Sequence, residues 1–192
     1  MKKILIGTHN QGKFREIAYL ISKKYDKISP ISLKIKSPKE TGKSFDENSK
    51  LKANFFSKFV KFPVISDDSG LCIKALKNKP GIYSARLAKK KGSFFKAMKF
   101  ILKKLKSKND RNAFFVCSLS FKVPNKKTVT VNGKINGKIS YRISGKKGFG
   151  YDPIFIPNSH QITFGKMDKL KKLKMDHRFI AFKKLKKKVK TL

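Results

Sequence analysis

The chain has little of several features that would otherwise identify its class. Its 192 residues include no tryptophan and only two cysteines, Cys72 and Cys117, too few for a disulfide framework and too far apart for a close metal-ligand pair. No apolar run approaches the roughly 18 residues of a membrane-spanning helix, and the apolar stretch in MKKILIG is too short for a signal peptide. These absences predict a cytoplasmic protein without membrane contact, in which both thiols are buried and reduced.

Acidic residues are also scarce. There are 11 of them against 49 lysines and arginines, giving a formal net charge of +38. Such an excess is typical of nucleic-acid-binding proteins, but here it is mostly lysine spread along the whole chain, as a general compositional drift would produce. Base-reading proteins more often use arginine, whose planar fork binds two acceptors at once. We therefore expect no specific nucleic-acid partner, and keep a sequence-nonspecific basic nucleic-acid-binding protein as the alternative.

The few acids are informative because five of them fall between positions 40 and 68: Glu40, Asp46, Glu47, Asp67 and Asp68. Mg²⁺ prefers oxygen ligands and usually takes one or two carboxylates together with substrate phosphates. Glu40 and Asp68 lie on separate segments and are candidates to converge on such an ion. The sequence FPVIS (62–66) predicts a strand that ends at DDSG (67–70), where α/β folds place catalytic groups. A solvated turn is the alternative interpretation of DDSG.

Hydrophobic periodicity predicts a mixed α/β architecture without internal repeats or long linkers. Ser44 to Glu47 forms a capping-box pattern that begins a helix, with an expected apolar face of Leu51, Phe55, Phe56 and Phe59. Another helix is expected from Ser93 to Leu105, and a basic one at the C-terminal end with Asp176 as its N-cap. The expected strands, apart from FPVIS, are KILIG (3–7), 113–123, 127–135 and IFI (154–156).

The first motif joins a strand to a helix in the sequence GTHNQGK. Its spacing matches GxxxxGK, but Phe14 stands where a P-loop needs a hydroxyl for magnesium, which disfavours a P-loop kinase or GTPase. Glycine still permits close backbone approach, and a helix N-terminus with a lysine attracts phosphate. The candidate phosphate-binding residues are Thr8, His9, Asn10, Gln11, Gly12 and Lys13. A purely structural βα turn is the alternative.

Two further motifs lie near the C-terminal end. In Gly148-Phe149-Gly150-Tyr151-Asp152-Pro153 an aromatic side chain stands between glycines, where a nucleobase can stack on it. An aromatic side chain tucked under a loop is the alternative. The pair His177-Arg178, at a helix start, can donate hydrogen bonds to a carbonyl oxygen.

Taken in order, these motifs resemble the inosine triphosphate pyrophosphatase family. The matching segments cover nearly the entire chain: ILIGTHNQGKFREI, ETGKSFDENSKLKAN, ISDDSGLCIKAL, KPGIYSARLA, GFGYDPIF and KLKMDHRFIAFKKL. The resemblance implies a two-lobed α/β fold, with an elongated mixed β-sheet flanked by helices and an active-site cleft between the lobes. It also implies that residues 1–192 form a single domain and that the protein is a homodimer.

The resemblance further implies a hydrolase that converts purine nucleoside triphosphates such as ITP, dITP and XTP to the monophosphate and pyrophosphate with Mg²⁺. Glu40 and Asp68 are then the metal ligands, and Asp68 is also the base for the attacking water. If the strand pleat continues, Asp67 points to the opposite face and only shapes the turn. The substrate-binding residues are Thr8 to Lys13 for the triphosphate, Lys52, Ser69 and Lys172 for phosphate or sugar, Phe149, Gly150, Tyr151 and Asp152 around the base, and His177 with Arg178 at its 6-keto edge.

The chain departs from the family pattern at two positions. Asp176 replaces the usual serine before His-Arg, which keeps a good N-cap but adds a carboxylate beside the expected base site. Lys166 replaces a glutamate after the last strand, which reverses the charge of that surface. The related Maf-like pyrophosphatases are disfavoured because their Ser-Pro-Arg-Arg opening loop is absent.

Overall fold

The computed structural model describes residues 2–189, which divide into two compact units. The first unit contains the residues up to Asp68, Cys117–Gly133 and those from Arg178 onward, and the second contains Ser69–Val116 and Lys134–His177. Two of the points at which the chain passes from one unit to the other are therefore the peptide bonds Asp68–Ser69 and His177–Arg178.

The strands belong to one mixed sheet. Within residues 2–189 its order is β2-β1-β3-β5-β6-β7, with β4 paired to β3. Strand β1 pairs in parallel with β2 and β3, while β4 on β3 and β7 on β6 are antiparallel. The strand bounds are β1 Lys2–Ile6, β2 Tyr25–Ile28, β3 Val64–Ile73, β4 Lys79–Pro80, β5 Asn112–Lys122, β6 Val129–Ile139 and β7 Phe155–Pro157. The mixed α/β prediction is confirmed.

Six α-helices are described between residues 2 and 189, and several of them begin at a capping side chain. Asn10, Ser44 and Ser93 each accept a hydrogen bond from a first-turn backbone N–H, which satisfies a group that otherwise lacks an intrahelical partner. The bounds are α1 Gln11–Leu20, α2 Phe45–Phe56, α3 Ser84–Lys90, α4 Phe94–Lys104, α5 Lys169–Leu173 and α6 His177–Lys188. The predicted basic C-terminal helix is α6, and positions 190–192 lie outside the described residues. No helix between residues 2 and 189 is long and apolar enough to cross a membrane.

Each unit has its own hydrophobic core. In the first unit, Ile4, Ile6 and Ile65 of the strands pack with Ile17 of α1 and Phe182 of α6. The core of the second unit includes Leu71, Ile73, Ile101, Phe155 and Phe164. Cys72 and Cys117 are buried, free thiols, as predicted, and burial raises the pKa of the Cys72 thiol to about 11.

One predicted boundary is wrong, because β3 does not end at Ser66. It continues to Ile73, so Asp67 and Asp68 lie within a strand and are 0% and 4% exposed. Burying a carboxylate is costly unless it is paired with a cation or hydrogen-bonded. Both aspartates are paired in this way, so the strand can carry them through the interior and no turn is needed.

The predicted apolar face of α2 is right only in part: Phe55 and Phe56 pack in a hydrophobic cluster with Leu5 and Val64, but most of the buried face is polar. The buried positions of this helix are Asn48, Ser49, Lys52, Ala53 and Phe56, whereas Leu51 and Phe55 are half-buried. Phe59 lies beyond the end of the helix and is 55% exposed. The polar face is satisfied locally: Ser49 Oγ lies 2.9 Å from Ser118 Oγ and 2.8 Å from Ser120 Oγ of β5. The helix is therefore held by hydrogen bonds from its buried polar residues as well as by the apolar packing of Phe55 and Phe56.

Candidate active site

The predicted phosphate loop connects β1 to α1 in the first unit. Asn10 caps the helix by accepting a hydrogen bond from the Lys13 backbone N–H at 3.0 Å, and Thr8 Oγ1 accepts one from the Asn10 N–H at 3.2 Å. A Cβ at Gly7 would lie 2.2 Å from Ser66 Oγ, so only glycine fits the point where the loop leaves β1. The first turn of α1, from Gln11 to Lys13, therefore starts from a rigid bend, with its positive dipole end at the loop.

A histidine ties this loop to a distant part of the chain. His9 Nε2 lies 3.0 Å from the Ile35 backbone oxygen, and its ring lies beside that of Phe56, with centroids 6.2 Å apart. His9 is half-buried, Gln11 is exposed, and Gly12 and Lys13 are half-buried. His9 therefore anchors the loop, while the helix start beyond it faces outward.

A second group of predicted residues meets around Lys52 of α2, also in the first unit. The Lys52 ammonium lies 2.8 Å from Glu40 Oε1 and 4.0 Å from Asp68 Oδ1. The other oxygen of Asp68 accepts a hydrogen bond from Asn48 Nδ2 at 3.2 Å. The fold thus brings the two candidate metal ligands to one ammonium, although they lie on different segments.

The pKa values in this group follow from burial and charge. Burial raises the pKa of Asp68 above its usual value, and the opposing attraction of Lys13 and Lys52 does not cancel it. Burial would lower the pKa of Lys52, but the surrounding carboxylates, Asp67, Asp68 and Glu40, together raise it. Lys52 therefore remains a cation, and Asp68 is a stronger base than an exposed aspartate in the chain without metal.

The group fits a magnesium ion in its type and number of ligands. Glu40 and Asp68 offer carboxylate oxygens, and they already share one cation, the Lys52 ammonium, so this location favours positive charge. Among the described residues there is no group of three or more His, Cys, Asp or Glu side chains that could hold a metal. Two carboxylates nevertheless match Mg²⁺, which commonly takes its remaining ligands from water and substrate phosphates.

Asp67 occupies a different environment from its neighbour Asp68. Its Oδ2 lies 3.1 Å from the Lys13 ammonium and 3.8 Å from Arg178 Nε. Burial alone would raise its pKa, but the charges of Lys13, Arg178 and Lys52 outweigh burial and lower the pKa to about 2. Asp67 is therefore a buried partner in ion pairs, not the turn residue that the sequence suggests.

Arg178 belongs to this same set of ion pairs. Its Nη1 donates to Glu16 Oε2 at 2.9 Å, and both side chains are buried. Lys13, Glu16, Asp67 and Arg178 thus form a group with two cations and two anions inside the first unit. Sequence reasoning missed Glu16, although its position one turn after Lys13 on α1 places both on one face of the helix.

Most of the predicted base-binding residues, Phe149 to Asp152 and His177, lie in the second unit, whereas Arg178 lies in the first. Gly148 and Gly150 have φ angles of 73° and 66°, so the chain bends on both sides of Phe149 in a conformation that favours glycine. The Phe149 N–H donates to Asp152 Oδ2 at 2.9 Å. The ring of Phe149 is half-buried, with the Lys172 ammonium 5.2 Å from its centroid.

Lys172 is the central cation of this second group. Its ammonium lies 2.9 Å from Asp152 Oδ2 and 3.7 Å from Asp176 Oδ2. The Asp176 carboxylate is thus balanced by a lysine within its own unit. The structure accordingly places Lys172 against an aromatic ring and two acids, among the predicted base-binding residues.

Two of the remaining predicted residues have structural contacts in the second unit. Tyr151 is 3% exposed, donates a hydrogen bond from its hydroxyl to the Ser84 backbone oxygen at 2.8 Å, and has its pKa raised by burial. The His177 ring stacks on Phe115, with centroids 4.8 Å apart and an interplanar angle of 10°. Ser69 is half-buried in β3, at the first position of the unit.

Known proteins are similar to this chain over most of its length. The profile of the Ham1 family matches residues 4–188. A dITP/XTP pyrophosphatase of Caulobacter vibrioides is 40% identical over 96% of both chains, and one of Dictyoglomus thermophilum is 41% identical over 95% of this chain and 92% of its own.

Solved structures are similar over the whole length. The Ham1 protein of Staphylococcus aureus superposes with a TM-score of 0.87 at 35% identity, over 99% of both chains. The HAM1 protein of Coxiella burnetii gives a TM-score of 0.88 at 31% identity, over 100% of both. The resemblance inferred from the motifs is thereby confirmed, and the chain belongs to the Ham1 family.

Proposed function

We propose that this protein hydrolyses deaminated purine nucleoside triphosphates, namely ITP, dITP and XTP, to the nucleoside monophosphate and pyrophosphate. The observation that carries the proposal is the convergence of Glu40 and Asp68 on the buried Lys52 ammonium. The relatives named dITP/XTP pyrophosphatases support the choice of substrate.

The chemistry requires a water molecule to attack the α-phosphorus. In our proposal the Asp68 carboxylate takes the proton of this water as a general base. The bond between the α-phosphorus and the bridging oxygen breaks, and pyrophosphate leaves with the bonding electrons. Lys13, Lys52 and the N-terminus of α1 offset the negative charge that develops on the phosphates.

We further propose Mg²⁺ as the cofactor, held by Glu40 and Asp68. When bound, it supplies a Lewis acid that neutralises phosphate oxygens. The support is the chemistry of the two carboxylates and their shared cation. We expect removal of divalent cations with EDTA to abolish turnover and added MgCl₂ to restore it. Full activity after exhaustive chelation would contradict this assignment.

Base recognition is assigned to the second-unit group, with Phe149 as the stacking face and Gly150, Tyr151 and Asp152 shaping its surroundings. Hypoxanthine and xanthine carry an acceptor oxygen at position 6, where adenine carries a donor amine. Donors from His177 or Arg178 would therefore select against ATP by leaving a polar group unpaired. Lys172, and Ser69 beside Asp68, are proposed to contact phosphate or sugar.

The experiment that tests the function is a nucleotide panel. Purified protein is incubated with MgCl₂ and ITP, dITP, XTP, ATP or GTP, and the products are identified by chromatography. We expect monophosphate and pyrophosphate from the first three, with much slower turnover of ATP and GTP. Release of orthophosphate and a diphosphate, or equal rates on all five, would overturn the proposal.

We also propose that the protein acts as a cytoplasmic homodimer and that residues 1–192 work as a single domain. The free, buried cysteines favour a reducing compartment. Light scattering after size-exclusion chromatography tests the dimer: a mass of twice the 21.9 kDa chain supports it, and a monomer at micromolar concentration contradicts it.

A further inference from the structure

Asn48 is a fully buried polar residue that the proposed chemistry leaves without a role. It lies on α2, one turn before Lys52, and is 0% exposed. An amide at such a position must form hydrogen bonds to offset its desolvation. The partners of its two polar atoms are the segment that carries Glu40 and the strand that carries Asp68.

The first partner is the loop after Glu40. Asn48 Oδ1 accepts a hydrogen bond from the Gly42 backbone N–H at 2.8 Å, two residues beyond the glutamate. The same loop is held at the helix start by a hydrogen bond from the Lys43 N–H to Glu47 Oε2 at 2.8 Å. A Cβ on Gly42 would lie 2.7 Å from Asn48 Oδ1, so the contact is tight and depends on glycine.

The second partner is Asp68 itself. Asn48 Nδ2 donates to Asp68 Oδ2 at 3.2 Å, while Asp68 Oδ1 faces the Lys52 ammonium. The two carboxylate oxygens are thus engaged by two residues of one helix face, and the carboxylate plane is held between them. A single side-chain amide thereby connects Asp68 to the loop that follows Glu40.

We propose that Asn48 is a positioning residue that orients Asp68 and the Glu40 segment for divalent-metal binding. The inference rests on the proposed function for its catalytic consequence, but its metal-binding consequence stands independently. Residues that orient metal ligands typically contribute about 10- to 100-fold in metal affinity or activity. A residue that only fills space would affect stability without changing the affinity for the ion.

The test uses Asn48→Ala, with Asn54→Ala as the matched control. Asn54 lies on the same helix, is exposed, and accepts a side-chain hydrogen bond from Thr128 at 2.6 Å. The control variant therefore also removes a hydrogen-bonded amide from α2, but one that does not contact Glu40 or Asp68. Binding of Mn²⁺ to the nucleotide-free protein is measured by electron paramagnetic resonance. The kcat, the KM for ITP and the half-saturating Mg²⁺ concentration are measured in parallel with the urea midpoint.

We expect Asn48→Ala to raise the Mn²⁺ Kd and the half-saturating Mg²⁺ concentration by about tenfold or more and to lower kcat, with both constants unchanged in Asn54→Ala. In a second variant, Gly42→Ala, the added Cβ would disrupt the hydrogen bond between the Gly42 N–H and Asn48 Oδ1 while Asn48 itself is unchanged. This variant should also raise the Mn²⁺ Kd. It keeps the test decisive if Asn48→Ala does not fold.

Several results would overturn the inference. One is a wild-type Mn²⁺ Kd in Asn48→Ala with only a lower urea midpoint, which would make Asn48 a packing residue. Another is a wild-type Kd in a folded Gly42→Ala. If the wild-type protein binds Mn²⁺ but hydrolyses no nucleotide, the proposed function fails, while the Mn²⁺ measurements still decide the role of Asn48.

Discussion

The neighbouring aspartates of β3 occupy two regions of the first unit that differ in their electrostatics. Asp68 lies with Glu40, Asn48 and Lys52, and burial raises its pKa. Asp67 lies with Lys13 and Arg178, and its pKa falls to about 2. Successive side chains of a strand point to opposite faces, which explains how adjacent residues reach such different surroundings.

This difference predicts different roles for the two carboxylates. A raised pKa means that the protein stabilises the ionised form of a carboxylate less well than water does. Binding of a proton or a metal ion to that carboxylate is then favoured. A carboxylate with a lowered pKa has its charge stabilised by the fold itself. We infer that Asp68 serves chemistry, while Asp67 stabilises the native structure and holds Lys13 and Arg178 in place.

The largest expected effect is on turnover by Asp68→Asn. This change keeps the side-chain shape and removes the charge and the basic oxygen. Loss of a general base alone lowers rates by about 10²–10⁴-fold, so we expect ITP turnover to fall at least about a hundredfold with normal folding. Steady-state kinetics and a circular dichroism spectrum check this. A variant with more than a tenth of wild-type activity would refute the assignment of the base.

Asp67→Asn should affect stability instead. Removing one partner from a buried ion pair leaves uncompensated charge and costs about 3–5 kcal/mol, here at Lys13 and Arg178. We expect a clearly lower urea midpoint, with turnover of the remaining folded protein reduced far less than in Asp68→Asn. If Asp67→Asn is inactive while fully folded, and Asp68→Asn is active, the roles of the two aspartates are reversed.

Arg178→Ala distinguishes base recognition from the ion pairs of the Asp67 region. If Arg178 donates to the 6-keto oxygen, its loss should reduce kcat/KM for ITP more than for ATP, by about 1.5–3 kcal/mol for a charged donor. The loss of its contacts with Glu16 and Asp67 should also lower the urea midpoint. An unchanged ratio of ITP to ATP activity would assign Arg178 to the buried ion pairs alone.

The smallest effect concerns the surface lysines, which contrast with the paired, buried cations of both regions. Because these lysines are dispersed, we expect binding to DNA or RNA to be weak, independent of sequence and steeply reduced by salt. Fluorescence anisotropy with two unrelated oligonucleotides, from 50 to 200 mM salt, measures this. Tight binding to only one of them at physiological salt would show a specific nucleic-acid site.

Much of the fold was predictable because its signals are local. The caps at Ser44 and Ser93 mark helix starts in any context, since a short polar side chain there satisfies a first-turn N–H. Alternating and continuous apolar patterns located β1, β5 and β6. Predictions from the local sequence failed at DDSG and on α2. Polar residues are buried there because ion pairs and hydrogen bonds with residues distant in sequence offset the cost of burying them.

In the candidate site, too, some features have a signal in the local sequence and others depend on distant residues. Its residue types and order carried the family resemblance, and the roles of Glu40, Asp68, Lys52 and the loop from Thr8 to Lys13 stay predictions to be tested. Asn48 and Glu16 were missed because asparagine and glutamate on a helix are ordinary in sequence. Only their neighbours, Asp68 and Arg178, distinguish them.

The sequence by itself determined the α/β class, the starts of α2 and α4 and membership of the family, since these depend on periodicity, caps and motif order along the chain. Only the tertiary structure decided that Asp67 is a structural ion-pair partner, that Lys172 lies against Phe149, and that α2 buries a polar face. The physical reason is that the free energy of a buried charge depends on which opposite charges and hydrogen-bond donors surround it in space. That surrounding is set by chain segments far apart in sequence.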